Sequence, residues 1–295
     1  MVSTQFGIFA AMTTPFRDDG AIDMGKLVAQ AHACIAAGCT GISTFGTTGE
    51  GPSIGAAERR LVLDALRAGG IEGARIVPGI AVSAVDDAAA HAQVAAEFSC
   101  RALLITPPIF YKNVGAAEVT EWFAALLGKT AADGPGYILY NIPQMTGVKM
   151  TKETIAALVA RFPGRIVGVK DSSGDWDNAL DMLRSFPDLA ILIGDERVLD
   201  KGVKLGAAGA ISGVANFRVD LLNDVMAGKP ASPALAPLVE AIVAHPATPA
   251  VKALVGHLSG DASWRRVRPP LRALSDAEAQ HLGRQYDELF AKVDG

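Results

Sequence analysis

Eight short apolar runs recur along this chain, with alanine-rich helical stretches between them. The runs are Gly7–Met12, Gly41–Phe45, Arg75–Ala81, Ala102–Thr106, Gly136–Ile142, Ile166–Lys170, Ala190–Gly194 and Ala208–Ser212. A strand covered on both faces reads as a continuous apolar run, whereas an amphipathic helix repeats every 3.6 residues. Segments with the helical period lie between the runs: Lys26–Ala37, Ala56–Ala68, Asp86–Phe98, Ala116–Leu127, Thr151–Arg161 and Asn178–Arg184. Regular alternation of this kind predicts an α/β fold, a (β/α)8 TIM barrel of parallel strands joined through helices. A doubly wound open sheet is the alternative. The regular units and the lack of a Gly-rich dinucleotide fingerprint weigh against it.

The pattern changes after Asn216. Helical segments around Asp220–Met226, Leu235–Ala244, Pro249–Leu258 and Ser275–Val293 follow without a strand, punctuated by prolines at helix starts and connectors. The expected division is a barrel over 1–225 and a C-terminal helical extension over 226–295, structural or an oligomer contact. Aromatics make up only 6% of a chain that is 50% apolar, so the core is aliphatic. With 27 basic against 31 acidic residues and no basic block, an electrostatic nucleic-acid footprint is not expected. Met1-Val2-Ser3-Thr4-Gln5 does not read as a signal peptide, and no apolar run is long enough to span a bilayer. Cys34, Cys39 and Cys100 lack metal-type spacing and read as small buried hydrophobes. The expected compartment is the cytoplasm.

Barrel active sites lie at the carboxyl ends of the strands, so those ends are where chemistry is sought. Lys170 closes the run Ile166-Val167-Gly168-Val169 and precedes the polar turn Asp171-Ser172-Ser173-Gly174-Asp175. An amine at a buried strand end is desolvated toward its neutral form, a nucleophile for a carbonyl. The bland reading is a lysine that reaches the surface or pairs with Asp171. The second strand ends in Phe45-Gly46-Thr47-Thr48-Gly49-Glu50-Gly51, where backbone N–H groups and hydroxyls can converge on one small anion. An ordinary Gly-rich turn with a helix cap explains that spacing equally well; a P-loop does not, because the Lys-Ser/Thr is missing.

Tyr140 ends the fifth run, placed either to pass a proton or to sit in the core with its hydroxyl satisfied. Asp195 and Glu196 follow the seventh, and Ile211-Ser212-Gly213 closes the eighth. The carboxylates either grip hydroxyls or serve as a helix cap and a solvated surface. His32, His91, His245, His257 and His281 all fall in expected helices or the tail. Metal-dependent aldol chemistry and Ser-His-Asp hydrolysis are therefore unsupported. An amine, a phenol and hydroxyls remain, a set suited to Schiff-base chemistry on a keto acid.

Together and in this order, Gly46-Thr47-Thr48-Gly49-Glu50, Tyr140-Asn141-Ile142-Pro143 and Gly168-Val169-Lys170-Asp171 resemble the dihydrodipicolinate synthase / N-acetylneuraminate lyase family. The likeness runs from about Phe6 to Pro270, through Thr13-Thr14-Pro15-Phe16 and Thr248-Pro249-Ala250-Val251-Lys252. It implies a (β/α)8 barrel with a C-terminal helical domain, usually a homotetramer, handling pyruvate by class I aldolase chemistry without metal or external cofactor. Lys170 would form the Schiff base, Tyr140 would relay protons, and Thr47 would link to Tyr140. Thr47 and Thr48 with nearby N–H groups, Gly46 among the loop residues, would hold the keto-acid carboxylate. Ile211 and Gly213 would add backbone near the pyruvate moiety. Tyr111 is the residue for a tyrosine that family tetramers place beside a neighbour's catalytic tyrosine, with Phe110 as the alternative.

Two departures bear on substrate. Synthases usually carry an arginine just after the Tyr-Asn-x-Pro motif for the second substrate's carboxylate; here Met145 stands there, after Gln144. Asp195, Glu196 and Ser172 match positions where lyases contact a polyhydroxyl chain. The leading expectation is an aldolase that releases pyruvate and an aldehyde from a 2-keto-3-deoxy sugar acid or similar 4-hydroxy-2-oxo acid. Alternatives are the synthase itself, a keto-deoxy sugar-acid dehydratase using the same lysine, and a non-catalytic keto-acid binding protein.

Overall fold

The computed structural model describes residues 6–291. The start, Met1 to Gln5, and the expected helix end at Val293 lie outside them. Each apolar run supplies a strand: β1 (Gly7–Ala11), β2 (Gly41–Ser43), β3 (Gly79–Ile80), β4 (Ala102–Ile105), β5 (Gly136–Asn141), β6 (Ile166–Asp171), β7 (Ala190–Ile193) and β8 (Gly209–Ser212). The sheet is parallel in the order β2-β1-β8-β7-β6-β5-β4-β3. An isolated parallel bridge between Ile42 and Ile76 joins its edges, and the Val77 N–H donates to the Ile42 carbonyl at 2.9 Å. The result is a closed (β/α)8 barrel.

β3 is shorter than its apolar run. Residues Gly73–Arg75 form a 3-10 turn instead, and Pro78, with no N–H, interrupts the ladder. Between the strands lie helices Met24–Ala36, Ala56–Ala68, Val85–Glu97, Ala116–Gly128, Lys152–Arg161, Trp176–Ser185 and Leu199–Lys204. The last of these, only 6 residues with a glycine inside, had no periodic signal. Val219–Met226, Leu235–Val243, Ala247–Ser259 and Asp276–Ala291 follow β8. Among the described residues no single helix is long and apolar enough to cross a membrane.

Strand alternation sorts the core into two layers. Phe9, Leu104, Ile138, Leu192 and Ile211 fill the barrel interior with the buried Tyr140. Their neighbours, such as Ile8, Leu103, Leu139, Val169 and Ile191, pack against the surrounding helices. Side chains along a strand point alternately to opposite faces, so this period puts Tyr140 and Lys170 inward and Val169 and Asp171 outward. The three cysteines are buried and free, and burial pushes the Cys100 thiol up to about 12.

Candidate active site

Tyr140 and Lys170 are register partners on β5 and β6. Both are buried, and the Lys170 Nζ stands 4.4 Å from the centre of the Tyr140 ring. Asp171 does not pair with the lysine. Pointing outward, it accepts from Asn141 Nδ2 at 2.8 Å, Asn178 Nδ2 at 3.0 Å and the Ser173 N–H at 3.1 Å. Among the described residues no carboxylate lies within ion-pair distance of Lys170. Burial works to raise the Tyr140 phenol, but the electrostatic effect of Lys170 and hydrogen bonding with Ser172 and Thr47 outweigh it and hold the phenol below its ordinary range. That environment favours proton exchange between the phenol and a neighbour.

A cavity of about 250 Å³ opens over this pair at the strand ends. Thr47, Thr48, Ser172, Ile211 and Gly213 line it, with Asp195 and Glu196 on the β7 side. Gly194 makes room there: a Cβ on it would lie 1.9 Å from the Ser172 hydroxyl. The remaining expected site residues fall elsewhere. Gly46 lines a neighbouring cavity that shares Thr47, Tyr140 and Ile142 with the first, and Tyr111 is 69% exposed beside Phe110.

The loop carrying Thr47 and Thr48 is tightly folded. Phe45 and Glu50 hold φ of 58° and 56°, a left-handed conformation worth roughly 1–3 kcal/mol of strain per non-glycine residue. A Cβ on Gly51 would sit 1.7 Å from the Phe45 carbonyl oxygen, so only glycine fits. Contacts from elsewhere hold this shape. The Thr14 hydroxyl donates to the Gly49 carbonyl at 2.7 Å, and the buried Arg59 guanidinium donates to the carbonyls of Gly51 and Gly79.

The two acidic residues differ. Asp195 caps the 3-10 turn Glu196–Val198 through the Arg197 N–H and takes a two-pronged ion pair from the Arg197 guanidinium, 2.7 Å at its shorter contact. Burial works to raise its carboxyl, but the Arg197 contacts prevail and lower it. Glu196 accepts from the Ser212 hydroxyl at 2.5 Å, and desolvation raises its carboxyl, the Ser212 hydrogen bond and the more distant Lys170 charge only partly opposing it. Arg197 and Gln144 also line the cavity, Gln144 donating to the Ser172 carbonyl at 2.6 Å. Sequence reasoning missed both. Arg197 had a signal, a guanidinium directly after the acidic pair. Met145, by contrast, faces the neighbouring cavity and is 62% exposed.

The sequence matches the Dihydrodipicolinate synthetase family over residues 4–288. The chain belongs to that family. Among curated relatives, an uncharacterised DapA-like lyase of Chloroflexus aurantiacus is 32% identical over 97% of each chain. A crystal structure of dihydrodipicolinate synthase from Agrobacterium tumefaciens superposes with a TM-score of 0.95 at 42% identity, covering 97% of this chain and 100% of that one. A variant of the 2-keto-3-deoxygluconate aldolase of Sulfolobus solfataricus shares the fold, with a TM-score of 0.85 at 22% identity over 97% of both chains. Members of this family are lyases and aldolases.

Proposed function

We propose that the chain is a Schiff-base lyase that cleaves or forms the bond between pyruvate and an aldehyde, acting on a 2-keto-3-deoxy sugar acid or similar 4-hydroxy-2-oxo acid. The observation that carries this reading is the buried Lys170 amine beside the Tyr140 phenol, with no carboxylate within ion-pair distance among the described residues. The amine adds to the 2-oxo carbon, and the Tyr140 phenol gives its proton to the carbinolamine hydroxyl so that water leaves, giving an iminium and a phenolate. The Tyr140 phenolate then takes the proton from the 4-hydroxyl as the bond between carbons 3 and 4 breaks. Its electron pair enters the iminium to give an enamine, and the aldehyde departs. Protonation at carbon 3 and hydrolysis release pyruvate and the free amine.

Thr47 and Thr48 hold the oxo-acid carboxylate in this scheme, and Gly46, Ile211 and Gly213 shape the pyruvate end. Ser172, Glu196 and the Asp195–Arg197 pair face the hydroxylated tail. No external cofactor or metal takes part. The working form is a homotetramer in the cytoplasm, in which Tyr111 or Phe110 of a second copy stands near Tyr140.

The 42% identity to the dihydrodipicolinate synthase from Agrobacterium tumefaciens favours the synthase reading. Met145 argues against it, since a second carboxylate would lack the charge-assisted contact that an arginine supplies. Incubation with pyruvate and aspartate semialdehyde, against a panel of 2-keto-3-deoxy acids, separates the two. Condensation with the semialdehyde at a higher kcat/KM than any cleavage overturns the aldolase reading. A product that keeps its carbon skeleton identifies a dehydratase on the same lysine.

A further inference from the structure

We propose that Thr248 and Lys252, on the helix Ala247–Ser259, are positioning residues for oxo-acid binding, holding the Thr47-Thr48 loop in its binding shape. The inference rests on the assignment of Thr47 and Thr48 to the oxo-acid carboxylate. The two residues lie one helical turn apart and so share a face. The Thr248 hydroxyl donates to the Thr47 carbonyl at 3.0 Å. Lys252 Nζ donates to Glu50 Oε1 at 2.6 Å and to the Thr14 carbonyl at 2.8 Å, over the Phe16 ring. The other Glu50 oxygen accepts the Arg268 N–H at 2.8 Å. Both side chains of the Lys252–Glu50 pair are 0% exposed.

A buried ion pair is weak evidence for stability, because an apolar pair of the same volume often serves as well. Its distinctive contribution is direction. Glu50, in a left-handed conformation, is gripped at both carboxylate oxygens, while Thr248 fixes the carbonyl of Thr47 three residues earlier. Because the peptide is planar and trans, fixing that carbonyl also aims the Thr48 N–H to the opposite side. Thr248 borders the apolar cavity, and Thr48 borders the one containing Lys170. The helix therefore holds the loop through Thr248 and Lys252, while Ala247 and Val251 of the same helix line the Lys170 cavity.

The test measures the pyruvate concentration that half-saturates borohydride trapping on Lys170, and the maximal trapping at saturation, in the full chain. Thr248→Val, nearly isosteric, is expected to raise half-saturation about fivefold, the loss of one net hydrogen bond, with maximal trapping unchanged. Thr248→Ser is expected to restore the native value. The Glu50→Gln/Lys252→Met double variant, which leaves no lone buried charge, is expected to shift half-saturation in the same direction while thermal unfolding stays cooperative.

Native half-saturation in Thr248→Val would overturn the role of Thr248, as would a serine variant that behaves like a raised valine variant, since keeping the hydroxyl would then not restore binding. Native half-saturation in the folded double variant would remove Lys252. Thr48→Val separates the premise: if it leaves half-saturation unchanged, the carboxylate assignment fails and the inference falls with it. A raised value there beside an unchanged Thr248→Val sinks the positioning role alone.

Discussion

Tyr140, with Thr47 and Ile142, lines two cavities of nearly equal size, about 250 Å³ for the one that holds Lys170 and 240 Å³ for the other. Their walls differ. The first gathers Lys170, Ser172, Asp195, Glu196, Arg197 and Thr48. The second is apolar, built from Phe45, Ile80, Leu104, Ile109, Met145 and Leu271. Strand alternation does not explain the contrast, since all strand ends meet at the same mouth. The loops do: β6 and β7 end in polar turns, whereas the segments after β3 and β4 are apolar or proline-rich. Volume alone would not tell a binding site from its neighbour. The presence of one amine, and of the groups that face it, does.

Four substitutions break or sharpen that contrast. Lys170→Ala is expected to abolish turnover while far-UV circular dichroism stays native, because no other group on that side captures a carbonyl; near-normal turnover would end the mechanism. Tyr140→Phe, on the shared wall, should still form the imine at a reduced rate but lose about 100–10,000-fold in kcat, the usual worth of a placed proton donor. An unchanged kcat takes Tyr140 out of that role. Met145→Ala, confined to the apolar cavity, should leave half-saturation of trapping by pyruvate within about twofold, as for a side chain making no polar contact with the ligand. A larger rise would mean that the apolar cavity belongs to the pyruvate site.

The smallest effect is a pH dependence of stability. Desolvation raises the Glu196 carboxyl in the fold, so between its unfolded value, near 4.5, and its folded value the native state holds a proton that the unfolded chain has lost. Stability is therefore fully present below that window and falls as pH rises through it. Glu196→Gln, which stays neutral, should unfold at a higher temperature than the native chain near pH 7, and the difference should vanish below about pH 4. A difference that persists at acid pH would mean that the substitution acts through packing or the Ser212 contact instead.

The barrel was legible because every strand is buried on both faces and so writes an unbroken apolar run. Lys170 was legible for the same reason, as a charge ending such a run. β3 was over-read because Pro78 breaks a ladder without breaking hydrophobicity. Arg197 was missed although it follows the acidic pair directly, since its guanidinium folds back on Asp195, a contact set by the 3-10 turn. Thr248 and Lys252 stood in a recognisable motif, yet their partners lie 201 and 202 positions away, a distance no local pattern spans. Tyr111 was expected at the site through a second copy, and in the single chain it lies at the surface.

The most direct measurement is borohydride reduction in the presence of pyruvate, followed by intact mass and peptide mapping. A single reduced adduct on Lys170, absent from Lys170→Ala, is the predicted result. A folded protein that forms no adduct, or that carries it on another lysine such as Lys112, would contradict the central claim.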